Sequence, residues 1–207
     1  MGNRTILTVA GLATVFFVST LNGQSPGVPG YLPARSNTAG FSIGLFLNGT
    51  AASYEDDSTV ESGGGLALRL GYGFNPSLEL FAEFTGASVQ HDGLSETYGV
   101  GHFDVGLRYN IGKPAGATRP YAFGAVSGLG IDVDMLDVEM RGTGFTVGGG
   151  LRYFFNPAFA LDVALCITFA NLDEGRLAGG SWQDLGDEAV SMTSSRFNAG
   201  VSWHRRR

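Results

Sequence analysis

The chain has 207 residues, 33 of them glycine, with 13 lysines and arginines against 19 aspartates and glutamates and a formal net charge of −6. Lys113 is its one lysine, and Arg205, Arg206 and Arg207 form its one basic cluster. That excludes the basic stripe a nucleic-acid partner needs, and it is unlike an ordinary water-facing surface, where all four charged residue types are freely mixed.

Residues 1–25 read as a secretory signal, in which Arg4 precedes an apolar run from Ile6 to Leu21 and "NGQSPGVPG" supplies the small residues around a cleavage point between 20 and 30. Residues 26–38 follow as an N-terminal periplasmic segment, and 39–207 as the folded domain. From residue 40 onward the sequence carries no amphipathic helix; apolar residues recur at every second position in eight runs instead. Their larger members are Phe41–Leu47; Leu66, Leu68, Leu70, Tyr72 and Phe74; Leu78, Leu80, Ala82 and Phe84; and Phe103, Val105, Leu107, Tyr109 and Ile111. Then come Tyr121, Phe123, Ala125, Leu129, Ile131 and Val133; Phe145, Val147, Leu151, Tyr153 and Phe155; Phe159, Leu161, Val163, Leu165, Ile167 and Phe169; and Phe197, Ala199, Val201 and Trp203. A tilted strand crosses a bilayer in about 9–11 residues, the length of these runs.

The connections alternate. Asn75-Pro76, "GKPAGATRP" and Asn156-Pro157 make short turns, whereas "GTAASYEDDSTVESGG", "SVQHDGLSET", "DMLDVEMRG" and "NLDEGRLAGGSWQDLGDEAVSMTSS" are long and polar. Short turns on one side and long loops on the other are the pattern of outer-membrane barrels. The predicted fold is therefore all-β, an eight-stranded antiparallel up-and-down transmembrane barrel with both termini periplasmic. A soluble lipocalin-like carrier would show the same alternation with the faces exchanged. The second face argues for the membrane: it is dominated by glycine and alanine, as the filled interior of an eight-stranded barrel requires. Tyr72, Phe74, Tyr109, Tyr121, Tyr153, Phe155, Phe159 and Trp203 all fall near the short-turn end, where an interfacial aromatic girdle belongs.

The stretches "LRLGYGFNPSLELFAEF" and "LRYFFNPAFALDVAL" are near-repeats. With the eight-run pattern, over roughly residues 38–204, they resemble the small eight-stranded outer-membrane barrels of the OmpA-like transmembrane-domain and opacity-type family. The resemblance implies the outer membrane, with lipopolysaccharide and phospholipid as neighbours and the barrel-assembly machinery as a partner, and a structural, adhesive or weakly pore-forming role. Such barrels usually end on an aromatic residue that guides assembly; here "HRRR" follows Trp203.

The glycine-rich face also carries ions: Arg69, Glu79, Glu83, Asp104, Arg108, Asp132, Arg152 and Asp162. Centring each Asn-Pro hairpin on its proline sets Arg69 opposite Glu83 and Arg152 opposite Asp162. A paired network plugging the interior is the favoured reading, and a narrow pore for ions or small solutes is its rival, since eight strands leave no wide channel.

No catalytic residue, cofactor site or metal site is predicted. His91 falls in a loop, His102 faces inward, His204 is near the C-terminus, and Ser127 is placed on the lipid face, so no nucleophile–base pair forms. Asp132, Asp134, Asp137 and Glu139 lack the spacing of a calcium loop. "NGT" at 48–50 and "GVGHFDVG" are short matches without the context a glycan or nucleotide site needs. Lone Cys166 is read as a small interior residue. A further alternative is an adhesin acting through its acidic loops, with Tyr54, Glu55, Asp56, Asp57 and Glu61 in the first and Asp173, Glu174, Trp182, Asp184, Asp187 and Glu188 in the fourth.

Overall fold

The computed structural model describes residues 36, 38–54, 60–90, 97–112, 116–133, 137–177, 179–186 and 189–205. The expected signal segment, His91, Asp134 and the loop acids Glu55, Asp56, Asp57, Asp187 and Glu188 lie outside them.

Eight long strands close into a barrel: β1 (Gly40–Tyr54), β2 (Glu61–Gly73), β3 (Leu78–Gln90), β4 (Thr97–Asn110), β5 (Thr118–Val133), β6 (Val138–Asn156), β7 (Phe159–Leu177) and β9 (Val190–His204). The two-residue β8 (Gln183–Asp184) adds to β7 beyond the barrel. Every neighbour in the ring is antiparallel and adjacent in sequence apart from β8, and β1 pairs β9 to close it. Closure removes the unpaired sheet edges that an open sheet would present.

The two repeated turns share one mechanism. Asn75 Oδ1 accepts from the backbone N–H of Ser77 at 2.8 Å and Leu78 at 2.9 Å. Asn156 Oδ1 accepts in the same way from Ala158 at 2.8 Å and Phe159 at 3.1 Å. A short side-chain acceptor thus satisfies donors that a two-strand reversal would leave bare. The proline that follows presets the backbone torsion and has no N–H of its own to satisfy.

The strands run further than the alternating runs indicate. Gly49–Tyr54, Ser88–Gln90, Val138–Gly142, Asn171–Leu177 and Val190–Ser195, read from sequence as loop, are strand. Here the amphipathic sense turns over. Below the Phe84–Phe103 and Phe145–Phe169 ring pairs, leucine, valine, isoleucine and phenylalanine point outward. Above them the outward face holds Ser88, Gly99, Asp132, Arg141 and Glu174, and the inward face is mainly apolar, with Glu61 held there by the Tyr98 hydroxyl. Ala52, Val89, Tyr98, Val100, Leu129, Ile131, Ala170, Leu172 and Met192 form one buried cluster there, drawn from β1, β3, β4, β5, β7 and β9.

β5 departs from its predicted phase. Tyr121, Leu129 and Ile131 are buried, and Ala122, Gly124 and Val126 face out. The register requires this: Tyr109, Leu107 and Val105 on the outer face of β4 stand opposite Ala122, Gly124 and Val126. The bulky β5 residues instead fill space left by glycines on neighbouring strands. A Cβ on Gly150 would lie 2.5 Å from the Tyr121 ring, and one on Gly148 would lie 2.6 Å from the Phe123 ring.

The charged barrel interior as candidate functional site

Arg69, Arg108, Arg152 and Arg196 lie in the barrel interior with Glu79, Glu83, Asp104 and Asp162, none more than 3% exposed. Strand parity puts all eight on the inner face, and the closed ring turns their head groups toward one another. They alternate as a chain. Arg108 Nη1 donates to Glu79 Oε1 at 3.3 Å, and Arg152 Nη1 donates to Glu79 Oε2 at 2.8 Å. Arg152 Nε donates to Asp162 Oδ2 at 2.9 Å, and Arg69 Nη1 donates to that same oxygen at 3.4 Å. Arg69 also holds Glu83, which accepts from Asn198 Nδ2 at 3.0 Å and lies 3.9 Å from Arg196 Nη1. Arg196 Nη2 ends the chain 2.7 Å from Asp104.

Hydroxyls and rings complete the packing. Ser127 and Thr146 donate to Asp104, and Thr168 accepts from Arg196 at 3.0 Å. The Arg69 guanidinium lies 4.5 Å from the centre of the Phe46 ring, and that of Arg108 lies 4.4 Å from the Tyr121 ring. A ring face stabilises a desolvated cation. Pairing is what makes these charges tolerable, because a lone buried ion carries a desolvation cost of several kcal/mol.

Arg69 pairs Glu83 across β2–β3, and Arg152 pairs Asp162 across β6–β7, as the hairpin centring predicts. Two predicted placements are corrected. Asp132 lies on the exposed face of β5 near its long-loop end and is not in the interior network, because β5 has the opposite phase. Tyr121 is not in the girdle: it is 3% exposed, and its hydroxyl donates to Asp162 at 2.5 Å. Tyr72, Phe74, Tyr109, Tyr153, Phe155, Phe159 and Trp203 are exposed on the outer wall near the short turns. Ser127 also points inward, to Asp104, and not to the lipid face.

Sequence reading missed Arg196 and Arg119. Arg196 shares parity with Asn198 but sits just before the run that begins at Phe197. Arg119 lies in the stretch read as a turn, yet it opens β5 and is fully buried. The Ser202 hydroxyl and His204 Nε2, 3.1 Å apart, were also unforeseen. Both are buried, His204 lies tilted against the Phe154 ring at 5.0 Å, and among the described residues no carboxylate is hydrogen-bonded to the imidazole. This pair lacks both the third group and the access that nucleophilic catalysis needs.

At the long-loop end, β5, β6 and β7 continue side by side. Arg141 pairs with Glu174, and Arg176 pairs with Glu139. The two guanidiniums lie 4.2 and 4.8 Å from the Trp182 ring centre.

An eight-stranded closed meander with an apolar outer belt, an aromatic girdle and a polar filled interior defines a transmembrane β-barrel. The chain belongs to the outer membrane protein beta-barrel domain family, whose match spans residues 9–204. Among solved structures it is similar to Neisserial surface protein A, at 17% identity and a TM-score of 0.61 over 80% of this chain and 97% of that one. It is also similar to the outer membrane protein OprG from Pseudomonas aeruginosa, at 14% identity and a TM-score of 0.52 over 82% and 98%. No curated protein sequence matches it. The location that follows from the family is the cell outer membrane.

Proposed function

We propose that this protein is a closed, non-enzymatic barrel that serves envelope structure or surface interaction, with solute passage no part of its role. It sits among lipopolysaccharide and phospholipid, reaches the membrane through the barrel-assembly machinery, and keeps both termini on the periplasmic side. The observation that carries this reading is the interior itself. Four arginines and four carboxylates, each at most 3% exposed, are linked by hydrogen bonds and ion pairs, and an apolar layer lies between them and the long-loop end. An ion entering such a lumen would have to break paired charges and then cross an apolar layer.

Purified protein reconstituted in planar bilayers tests this. The expected record is free of stable conductance steps, and reproducible steps from the unmodified protein would overturn the closed reading. Boiled and unboiled samples on gels are expected to migrate differently, as a folded barrel does, and this establishes that the bilayer experiment used folded protein.

A second reading, binding at the cell surface, is favoured by the Arg141–Trp182–Arg176 stack at the long-loop end. Cells displaying the protein are then expected to adhere to a surface in an immobilised panel of matrix proteins and glycans, and to lose that adherence with Trp182→Ala.

A further inference from the structure

Four buried arginines alternate with four buried carboxylates, which makes the interior chain neutral. A fifth buried arginine, Arg119, stands outside it. Its Nη2 donates to the Pro76 carbonyl at 2.7 Å and to the Asn110 carbonyl at 3.5 Å, both neutral acceptors. Its Nε and Nη1 have no partner, and among the described residues no carboxylate pairs with it. The register worsens its position, because Arg119 stands directly across from Arg152 on β6. The remaining buried carboxylate, Glu61, is at the opposite end of the barrel wall, where it accepts from Tyr98.

Two further side chains at this end carry unpartnered polar atoms. Asn110, 1% exposed, has both its amide nitrogen and its oxygen unpartnered. Arg108, fully buried and two residues before it on the same face, has Nε and Nη2 unpartnered. These two nitrogens form the guanidinium fork that suits an anion. Tyr121 links the group: it pairs with Asn110 across β4–β5, and its ring lies against Arg108.

We propose that the short-turn end of the lumen is a binding site for a small inorganic anion, of the size and charge of chloride. Arg119 is its principal ligand, the Asn110 amide nitrogen donates to it, and Arg108 lies behind. Water can fill hydrogen bonds here but cannot cancel the unbalanced charge, and burying an uncompensated charge is among the costliest arrangements in a protein. One monovalent anion restores neutrality. Arg119 and Arg108 face the lumen and not the outer wall, which favours a free ion over a lipid phosphate.

The protein is unfolded in urea and refolded in detergent or vesicles containing sodium chloride, sodium bromide or sodium gluconate at equal ionic strength, so that each ion has access to the interior. The expected result is a saturable rise in the melting midpoint with chloride and bromide over the bulky gluconate. Arg119→Gln removes the rise, and Asn110→Leu raises the half-saturating concentration several-fold. Crystals grown in bromide are expected to show an anomalous peak within hydrogen-bonding distance of Arg119. An equal rise in Arg119→Gln, or crystals without that peak, overturns the site and leaves a guanidinium solvated by water. If Arg119→Gln does not fold, the bromide peak in the unmodified protein decides alone.

Discussion

Tyr121 donates its phenol proton to a carboxylate that Arg69 and Arg152 already hold, so removing one oxygen atom disturbs three charges. Tyr121→Phe is expected to destabilise the barrel by about 1–3 kcal/mol, the cost of leaving a buried acceptor short of a donor. Tyr109→Phe, on the outer wall, should change stability by no more than about 0.5 kcal/mol. Urea unfolding in lipid vesicles, followed by tryptophan fluorescence, measures both, and equal effects would place Tyr121 back in the girdle. Glu79→Gln is the harsher change, since among the described residues Glu79 is the only carboxylate on Arg108 and one of two on Arg152. It is expected to cost about 3–5 kcal/mol in the same assay. Seven of the eight predicted interior ions, Arg69, Glu79, Glu83, Asp104, Arg108, Arg152 and Asp162, lie inward in the structure, because each shares parity with the face opposite the large aliphatic residues of its strand. Asp132 failed because its strand has large residues on one face and glycines on the other, a pattern that does not say which side is out.

At the scale of the element, β5 shows why alternation reports period more surely than direction. Its bulky face fills the interior only because Gly106, Gly148 and Gly150 vacate it, and that complementarity lies on other strands. Gly150→Ala is expected to destabilise by about 1–3 kcal/mol through overpacking against the Val163 carbonyl oxygen and the Tyr121 ring. Combining it with Tyr121→Leu should recover part of the loss, and a fully additive double mutant would show that the two positions do not touch. The Asn-Pro turns were readable because a side-chain acceptor followed by proline has a local mechanism. The strand extensions were not, because Val89, Tyr98 and Val100 gain an inward partner only once six strands converge on the same apolar layer.

Across the whole molecule the reversal of polarity sets the depth of the membrane. Eight residues separate Phe145 from Tyr153 on β6. At about 3.3 Å per residue and a tilt of about 40° they span about 20 Å, close to the apolar band of about 25 Å. The part above is expected to stand in water. In a Cys166→Ala background, cysteines at Ser88 and Asp132 should react with a membrane-impermeant maleimide, and cysteines at Val105 and Leu165 should not. Uniform labelling would remove the boundary. The family and location could be read from the pattern of the strands. The pairing between hairpins could not, since it depends on Arg196 and on cross-barrel pairs that join residues as distant in sequence as Arg69 and Asp162. The two near-identical hairpins also bear on how the barrel is made. Arg69 with Glu83, and Arg152 with Asp162, are neighbours within one hairpin, whereas Arg69 with Asp162, and Arg152 with Glu79, meet only across the lumen. Each hairpin can therefore bring a matched pair of opposite charges to the bilayer before the ring exists. The bonds between hairpins then act as a latch, drawn shut by the same charges that escorted each half into the lipid.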